Sequence, residues 1–195
     1  MANRERILLS SPHMSGNEKK YIQEAFDSNW IAPLGPNVTK FEKELAQYTN
    51  SKGASLTSSG TAAIHLALAC LGVGKGDSVF CSSFTFIASA NPALYLGAEL
   101  TFIDSEPNSW NMSPQALERA LCDASLENRL PKAIIVVNLY GQSADMEKLL
   151  EIADLFGVPI IEDAAESLGA EYKHKKSGTF GKIGIYSFNG NKIIT

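Results

Sequence analysis

Ala133-Ile134-Ile135-Val136-Val137 is a run of five apolar residues with no polar alternation. Such a run is typical of a strand that is buried on both faces of a parallel sheet. Other short apolar runs, bounded by turn residues, alternate with amphipathic segments along the rest of the chain, and this order favours a sheet with helices on both of its faces. The sequence therefore predicts an α/β fold with a mostly parallel sheet.

The same patterns give the predicted elements. Helices are predicted at residues 16–29, 37–49, 61–71, 88–96, 113–124 and 144–156, and strands at 54–57, 78–81, 99–103, 133–137, 159–162 and 183–188. The Pro/Gly-rich segment 32–36 is a predicted loop between an N-terminal helix and the body of the protein. The basic run Lys173-His174-Lys175-Lys176 is predicted to be the exposed tip of a hairpin, rather than a diphosphate site.

Size and charge narrow the possible partners. A chain of 195 residues, 45% of them hydrophobic, is long enough for one sizeable core. The net charge of −4 and the pI near 5.4 provide no field that attracts nucleic acid.

The apolar run Ile7-Leu8-Leu9 is too brief for the core of a signal peptide, and no run approaches membrane-spanning length. We therefore expect a cytoplasmic protein with no nucleic-acid or membrane partner.

The thiols and imidazoles do not predict a metal site or a hydrolase. Three cysteines are odd in number and lack CxxC spacing, so they are expected to be reduced and structurally buried: Cys70, Cys81 and Cys122. The histidines are scattered and none has a metal-ligand or triad neighbour in sequence: His13, His65 and His174.

A candidate phosphate site follows the predicted strand 54–57. The turn Ser58-Ser59-Gly60-Thr61-Ala62-Ala63 opens an apolar helix, and a helix N-terminus presents free N–H groups and a positive dipole end to an anion. The alternative is a plain Ser/Thr helix cap, which needs no ligand. The lysine of a Walker A motif is absent.

An aromatic and a carboxylate follow two other strands. Phe84 and Phe86 come after the strand that ends at Cys81, where an aromatic ring could stack on a flat heteroaromatic ring; taken alone, they fit the core better. Asp163 ends the acidic stretch Ile160-Ile161-Glu162-Asp163 at the strand edge where open α/β sheets bind ligands. It needs a cationic partner there, or it caps the next helix. Glu162 should point the opposite way and be structural.

Lys192 lies in the run Tyr186-Ser187-Phe188-Asn189-Gly190-Asn191-Lys192. By position alone it is a solvated surface charge. Together with Asp163 it suggests a pyridoxal phosphate enzyme, because a lysine amine forms a Schiff base with the cofactor's aldehyde and a buried carboxylate keeps the pyridine nitrogen protonated.

Several motifs, taken in order, resemble the DegT/DnrJ-type sugar aminotransferases, which are pyridoxal phosphate enzymes of fold type I. The resemblance covers the chain from Leu8 onward and rests on Ser59-Gly60-Thr61-Ala62-Ala63, Phe84-Thr85-Phe86-Ile87-Ala88-Ser89, Gly97-Ala98, Glu162-Asp163-Ala164-Ala165-Glu166-Ser167-Leu168-Gly169 and Ser187-Phe188-Asn189-Gly190-Asn191-Lys192. It implies the three-layer large domain of that fold, truncated after the lysine-bearing strand.

The resemblance also implies a role for each matching residue. Lys192 would be the Schiff-base lysine and would shuttle the proton during transamination, while Asp163 would pair with the pyridinium nitrogen. Phe86 would stack on one ring face. The phosphate would be held by Gly60, Thr61 and Ala62 with Ser187, and Asn189 would lie in the same shell. Glu166 stands where Gln or His is frequent in the family, near the ring hydroxyl.

The implied substrates are a nucleotide-linked keto-deoxy sugar and glutamate as amino donor, in the biosynthesis of cell-surface sugars. The segment Asn29-Trp30-Ile31-Ala32 and the lysine motif look most like the PglE subgroup, which aminates a UDP-linked 4-keto-6-deoxy N-acetyl sugar. We expect the first of these segments to bind substrate. The resemblance further implies a homodimer.

Family members are roughly twice as long as this chain. Residues 1–195 are therefore expected to be the N-terminal segment and most of the large domain, without the small C-terminal domain and with little activity alone. The alternatives are an inactive cofactor-binding remnant and a related sugar dehydratase, whose histidine in place of Lys192 argues against it. A Rossmann dehydrogenase lacks support because no G-x-G-x-x-G follows the first strand.

Overall fold

A five-stranded parallel sheet forms the centre of the molecule. The computed structural model describes residues 6–8 and 10–194. The strands are β1 (Ser78–Ser82), β2 (Glu99–Ile103), β3 (Ala133–Val137), β4 (Ile160–Asp163), β5 (Glu171–Tyr172), β6 (Lys175–Lys176) and β7 (Ile183–Ile185). The main sheet has the order β2-β1-β3-β4-β7, with every neighbouring pair parallel, and β5 and β6 form a separate hairpin. The predicted α/β class with a mostly parallel sheet is confirmed.

Helices cover both faces of this sheet. They are α1 (Glu18–Asp27), α2 (Pro36–Thr49), α3 (Gly60–Cys70), α4 (Asn91–Tyr95), α5 (Pro114–Leu126) and α6 (Met146–Leu155), with 3-10 turns at Ile87–Ser89 and Leu139–Gly141. All five residues of β3 are buried. Ile135 packs into the core on the side of α3 and α4, whereas Ile134 and Val136 pack on the side of α5 and α6. The unbroken apolar run therefore reflects a strand with a core on each face.

The predicted strand at 54–57 is wrong. These residues form no strand, and β7 is an edge of the main sheet. A segment of β-prone sequence becomes a strand only when a neighbour supplies ladder hydrogen bonds. Here the N–H of Leu56 instead donates to Glu42 Oε1 of α2 at 2.8 Å.

Other boundaries differ in smaller ways. The predicted helix 88–96 is a 3-10 turn followed by α4, which begins at Asn91 with Pro92 in its first turn, where proline's missing N–H costs nothing. The predicted strand 183–188 ends at Ile185. The hairpin tip is confirmed, since Lys173 and His174 connect β5 to β6 with φ of 49° and 63° and are exposed.

The structure tests the predicted burial of the three cysteines. Cys81 is buried in β1, but Cys70 and Cys122 are exposed, so burial was wrong for these two. Cys70 is the last residue of α3, and Cys122 lies on a turn of α5 next to the fully buried Leu121 but on its outer side. Within the part of the chain that the structure describes, no helix combines the length and apolar character needed to cross a membrane.

Candidate functional site

The carboxyl ends of β1, β4 and β7 meet at one edge of the sheet. Val137, the last residue of β3, pairs with Asp163, and Asp163 pairs with Ile185, so the last residues of β3, β4 and β7 lie side by side. The strand β1 runs parallel to β3 on its other side and ends at the same edge. The segments that leave this edge are residues 83–89 after β1 and 186–192 after β7. Because parallel strands all end at the same edge, residues that are distant in sequence come together here.

Asp163 is the buried carboxylate of this edge. It is 5% exposed. Ser89 Oγ donates to its Oδ2 at 2.6 Å, and the N–H of Ala165 donates to its Oδ1 at 3.2 Å. Burial raises the pKa of Asp163, although Ser89, Ala165 and nearby Lys192 act in the opposite direction. Among the residues that the structure describes, no helix begins after Asp163, so the helix-cap alternative is wrong.

Lys192 faces this edge rather than solvent. Its Nζ donates to Glu166 Oε1 at 3.0 Å, and its side chain is only 16% exposed. The other carboxylate oxygen of Glu166 accepts the N–H of Tyr140 at 3.0 Å. The turn that carries Lys192 is closed by its own N–H, which donates to the carbonyl oxygen of Asn189 at 2.9 Å. The interpretation of Lys192 as a solvated surface charge is therefore wrong.

The helix-opening turn at Gly60 lies against the segment after β7. Ser59 caps α3 by accepting the N–H of Ala62 at 3.1 Å, so the Ser/Thr cap is present. A Cβ at position 60 would lie 3.2 Å from Cβ of Ser187 and 3.3 Å from its Oγ. Glycine thus permits the hydroxyl of Ser187 to approach the first turn of α3, where Thr61 and Ala62 follow.

Phe86 and Phe84 lie outside the core. Phe86 is 75% exposed and Phe84 is 45% exposed, so the core alternative is wrong for both. The reason is that β1 ends at Ser82, and the chain beyond it runs over the sheet edge. The ring of Phe84 packs on Trp110 with centroids 5.7 Å apart. Phe86 directly precedes the 3-10 turn that holds Ser89.

The remaining predicted site residues lie at the surface. Asn189 is exposed, and its N–H donates to the carbonyl oxygen of Ile194 at 3.2 Å. Asn29, Trp30, Ile31 and Ala32 are exposed in the loop between α1 and α2. The N–H groups of Asn29 and Trp30 donate back to the end of α1, and the indole of Trp30 lies over Gly35. These described contacts are local and do not join the loop to Asp163.

Sequence reasoning missed Ser89 as a hydrogen-bond partner of Asp163 and Thr85 as a partner of Ser89. It also missed the N–H of Tyr140 as a partner of Glu166. Ser89 lies in the aromatic stretch that was recognised, but nothing in its spacing links it to a residue 74 positions away. Glu162, in contrast, is structural as predicted. It is fully buried and accepts hydrogen bonds from Asn138 Nδ2 at 2.9 Å and from the N–H of Phe180 at 2.8 Å.

No group of three or more His, Cys, Asp or Glu side chains among the described residues is arranged to hold a metal ion. A groove of about 530 Å³ runs between α2 and residues 50–54, and none of the candidate site residues lines it. The chemistry-bearing residues are therefore concentrated at the carboxyl edge.

The model of the DegT/DnrJ/EryC1/StrS aminotransferase family matches residues 12–195. The chain belongs to this family. EpsN of Bacillus subtilis (strain 168), named as a candidate pyridoxal phosphate-dependent aminotransferase, is 64% identical over 191 residues, covering 98% of the chain and 49% of EpsN. GDP-perosamine synthase of Caulobacter vibrioides is 42% identical over 195 residues, covering 100% of the chain and 51% of that protein.

Solved structures of similar proteins have the same fold. The PLP form of Spr1654 from Streptococcus pneumoniae, a candidate sugar aminotransferase, superposes with a TM-score of 0.88 at 27% identity over 98% of the chain and 51% of Spr1654. The chain therefore has the expected fold type I architecture. It spans about half the length of the curated relatives that it matches.

Proposed function

We propose that this protein takes part in the pyridoxal phosphate-dependent transamination of a nucleotide-linked keto-deoxy sugar, with glutamate as amino donor. The observation that carries the proposal is the buried Asp163 carboxylate beside the Lys192–Glu166 ion pair at the carboxyl edge of the sheet. A buried carboxylate is stabilised by a cationic partner, and a protonated pyridine nitrogen is such a partner.

The residues present fit this cofactor. Gly60 leaves room for Ser187 at the N-terminus of α3, which makes a site for the cofactor phosphate together with Thr61 and Ala62. The exposed ring of Phe86 is free to cover one face of the pyridine. We assign Glu166 to the ring-hydroxyl side and Asn189 to the phosphate shell. Pyridoxal phosphate, when bound, supplies an electron sink for carbanion chemistry.

Three side chains of this protein have separate proposed roles: Asp163, Lys192 and Glu166. Asp163 holds a proton on the ring nitrogen by remaining ionised beside it. Lys192 holds the cofactor through Nζ and, when that amine is free, moves a proton to or from the reacting carbon. Glu166 sets the position of Nζ, since it binds both this atom and the N–H of Tyr140.

The substrate is proposed at two levels of detail. A nucleotide-linked sugar is supported by the relative named GDP-perosamine synthase. The narrower PglE-like assignment, a UDP-linked 4-keto-6-deoxy N-acetyl sugar, is a prediction from the resemblance, as is a place in cell-surface sugar biosynthesis. We propose that Asn29, Trp30, Ile31 and Ala32 contact the substrate. We also propose a homodimer, and that residues 1–195 supply the N-terminal segment and most of the cofactor-binding domain.

Borohydride reduction followed by peptide mass mapping tests the proposal. The protein is incubated with pyridoxal phosphate, reduced and digested, and we expect the cofactor mass on the peptide that contains Lys192. Lys192→Ala should abolish the label, whereas the matched control Lys182→Ala, an exposed lysine just before β7, should retain it. A label on another lysine, or none, would contradict the proposal.

Product analysis separates the alternatives. An amino sugar formed as glutamate is consumed supports transamination, and a deoxygenated sugar without glutamate consumption supports the dehydratase. Cofactor labelling at Lys192 with neither product supports the remnant.

A further inference from the structure

We propose that Ser89 and Thr85 form a hydroxyl relay that holds the Asp163 carboxylate in position and keeps it ionised. This makes both residues positioning residues for the cofactor site, and the inference rests on the proposed function. The relay is a chain of two short contacts. Ser89 Oγ lies 2.6 Å from Asp163 Oδ2 and 2.7 Å from Thr85 Oγ1. Ser89 is 1% exposed, so water does not substitute for either partner.

The number of available protons determines which group donates in each hydrogen bond of the relay. A serine hydroxyl has one hydrogen to donate, and an ionised carboxylate only accepts. When Asp163 is ionised, Ser89 must donate to it, and Thr85 must therefore donate to Ser89. When Asp163 is protonated at Oδ2, both donations can reverse. A cationic donor bound to the carboxylate favours the first arrangement, so the three side chains respond together to the charge at the ring nitrogen.

The relay also ties the carboxylate to the aromatic residue of the site. Phe86 stands between the two hydroxyl residues in sequence, and its carbonyl oxygen accepts the N–H of Ser89 at 3.0 Å. Phe86 is thus the N-cap of the short 3-10 turn, Ile87–Ser89, that brings Ser89 to Asp163. This one turn therefore positions both Phe86, which is proposed to cover the ring face, and Ser89, which donates to Asp163.

The other ionisable groups described around Asp163 do not both hold its carboxylate in position and keep it ionised. Lys192 favours its ionised form from a distance, while Glu166 opposes it. The thiol of Cys81, on β1 two strands away in the sheet, is neutral, because burial, aided by the charge of Asp163, raises its pKa to about 12. The Asp163 carboxylate accepts one hydrogen bond from the side chain of Ser89 and one from the backbone N–H of Ala165.

The test is a titration of the Asp163 side-chain carboxyl carbon by NMR in cofactor-free protein, with the signal assigned from Asp163→Asn. Ser89→Ala removes a charge-assisted donor, so we expect the acid dissociation constant of Asp163 to fall about tenfold. Thr85→Val, which keeps the shape of the side chain, should lower it about threefold, and Thr85→Ser should leave it unchanged. In a Ser89→Ala background, Thr85→Val should have no further effect.

Ser83→Ala is the matched control, since Ser83 is an exposed hydroxyl of the same segment. The proposal is overturned if Ser89→Ala changes the dissociation constant less than twofold, or if Thr85→Val has its full effect without the Ser89 hydroxyl. Pyridoxal phosphate affinity gives a second readout, with an expected loss of about tenfold for Ser89→Ala. If wild-type protein does not bind the cofactor, the proposed function fails, while the carboxyl titration still decides the relay.

Discussion

At the scale of the residue, Asp163 shows a conflict between stability and function. Its carboxylate is buried at the end of β4, and burial raises its pKa above the ordinary value of 3.8. The folded protein therefore binds this proton more tightly than the unfolded chain. The associated stability is fully present below the unfolded value and is lost as the pH rises through the folded value. When this carboxylate is ionised it destabilises the cofactor-free fold, and under the proposed function the protonated ring nitrogen offsets that cost.

Asp163→Asn should change stability and cofactor affinity in opposite directions. The amide has nearly the same shape and no charge, so we expect the cofactor-free variant to be more stable than wild type at neutral pH, with the difference shrinking as the pH falls. The same variant should lose cofactor affinity. Urea unfolding at several pH values measures the first effect, and Asp154→Asn, at an exposed position of α6, is the control. Equal stability at every pH would contradict the role assigned to burial.

At the scale of the element, β7 is held in place by the turn that precedes it. The carboxylate of Glu162 on β4 accepts the N–H of Gly178 at 2.6 Å and the N–H of Phe180 at 2.8 Å. The hydroxyl of Tyr186, just after β7, donates to the carbonyl oxygen of Ser177 at 2.6 Å. Because Ser187 and Lys192 follow this strand, the turn at 177–180 helps to set where both of them lie.

Gly184→Ala should disrupt this element. Gly184 pairs with Glu162 in the sheet, and a Cβ at this position would overlap the carbonyl oxygen of Gly178, which is backbone and cannot move independently. We expect a loss of about 3 kcal/mol in the free energy of unfolding, at the upper end of the range for overpacking. Gly53→Ala, where a Cβ meets nothing within 4 Å, should change stability by less than about 0.5 kcal/mol. Similar values for both variants would show that the turn adapts freely.

At the scale of the whole molecule, burial is uneven. The ten-residue helix α1 has no buried residue, and Tyr21, Ile22 and Phe26 are each more than half exposed. The ten-residue helix α6 buries Met146, Leu149 and Ala153 against the sheet. Local stability follows the apolar area that each element buries, so these two helices of equal length should differ in how often they open.

Hydrogen exchange followed by mass spectrometry should show this difference. We expect the amides of α1 to exchange at least about tenfold faster than those of α6 in dilute protein. If α1 becomes protected as the protein concentration is raised, a second copy of the chain covers it, which would support the proposed homodimer. Protection of α1 equal to that of α6 at every concentration would contradict the interpretation of α1 as a helix held weakly by this chain.

Much of the fold followed from local patterns. The run at 133–137 specifies a strand with a core on each face, and the alternation of apolar runs with amphipathic segments specifies the helical layers on both sides of the sheet. Glu162 was assigned a structural role from strand alternation, because its side chain points to the face opposite that of Asp163. These properties depend on spacing along one segment, which the sequence states directly.

The tertiary structure decided what depends on neighbours from elsewhere in the chain. Residues 54–57 have strand-like sequence but no partner, so they form no strand. Phe86 has a core-like side chain but lies beyond the end of β1, so it is exposed. Ser89 lies 74 residues before Asp163, and only the parallel register of β1, β3 and β4 brings the two together. Strand pairing and buried hydrogen bonds are non-local, and for that reason the sequence determined the layers and the main chemical groups, while the fold determined which of those groups meet.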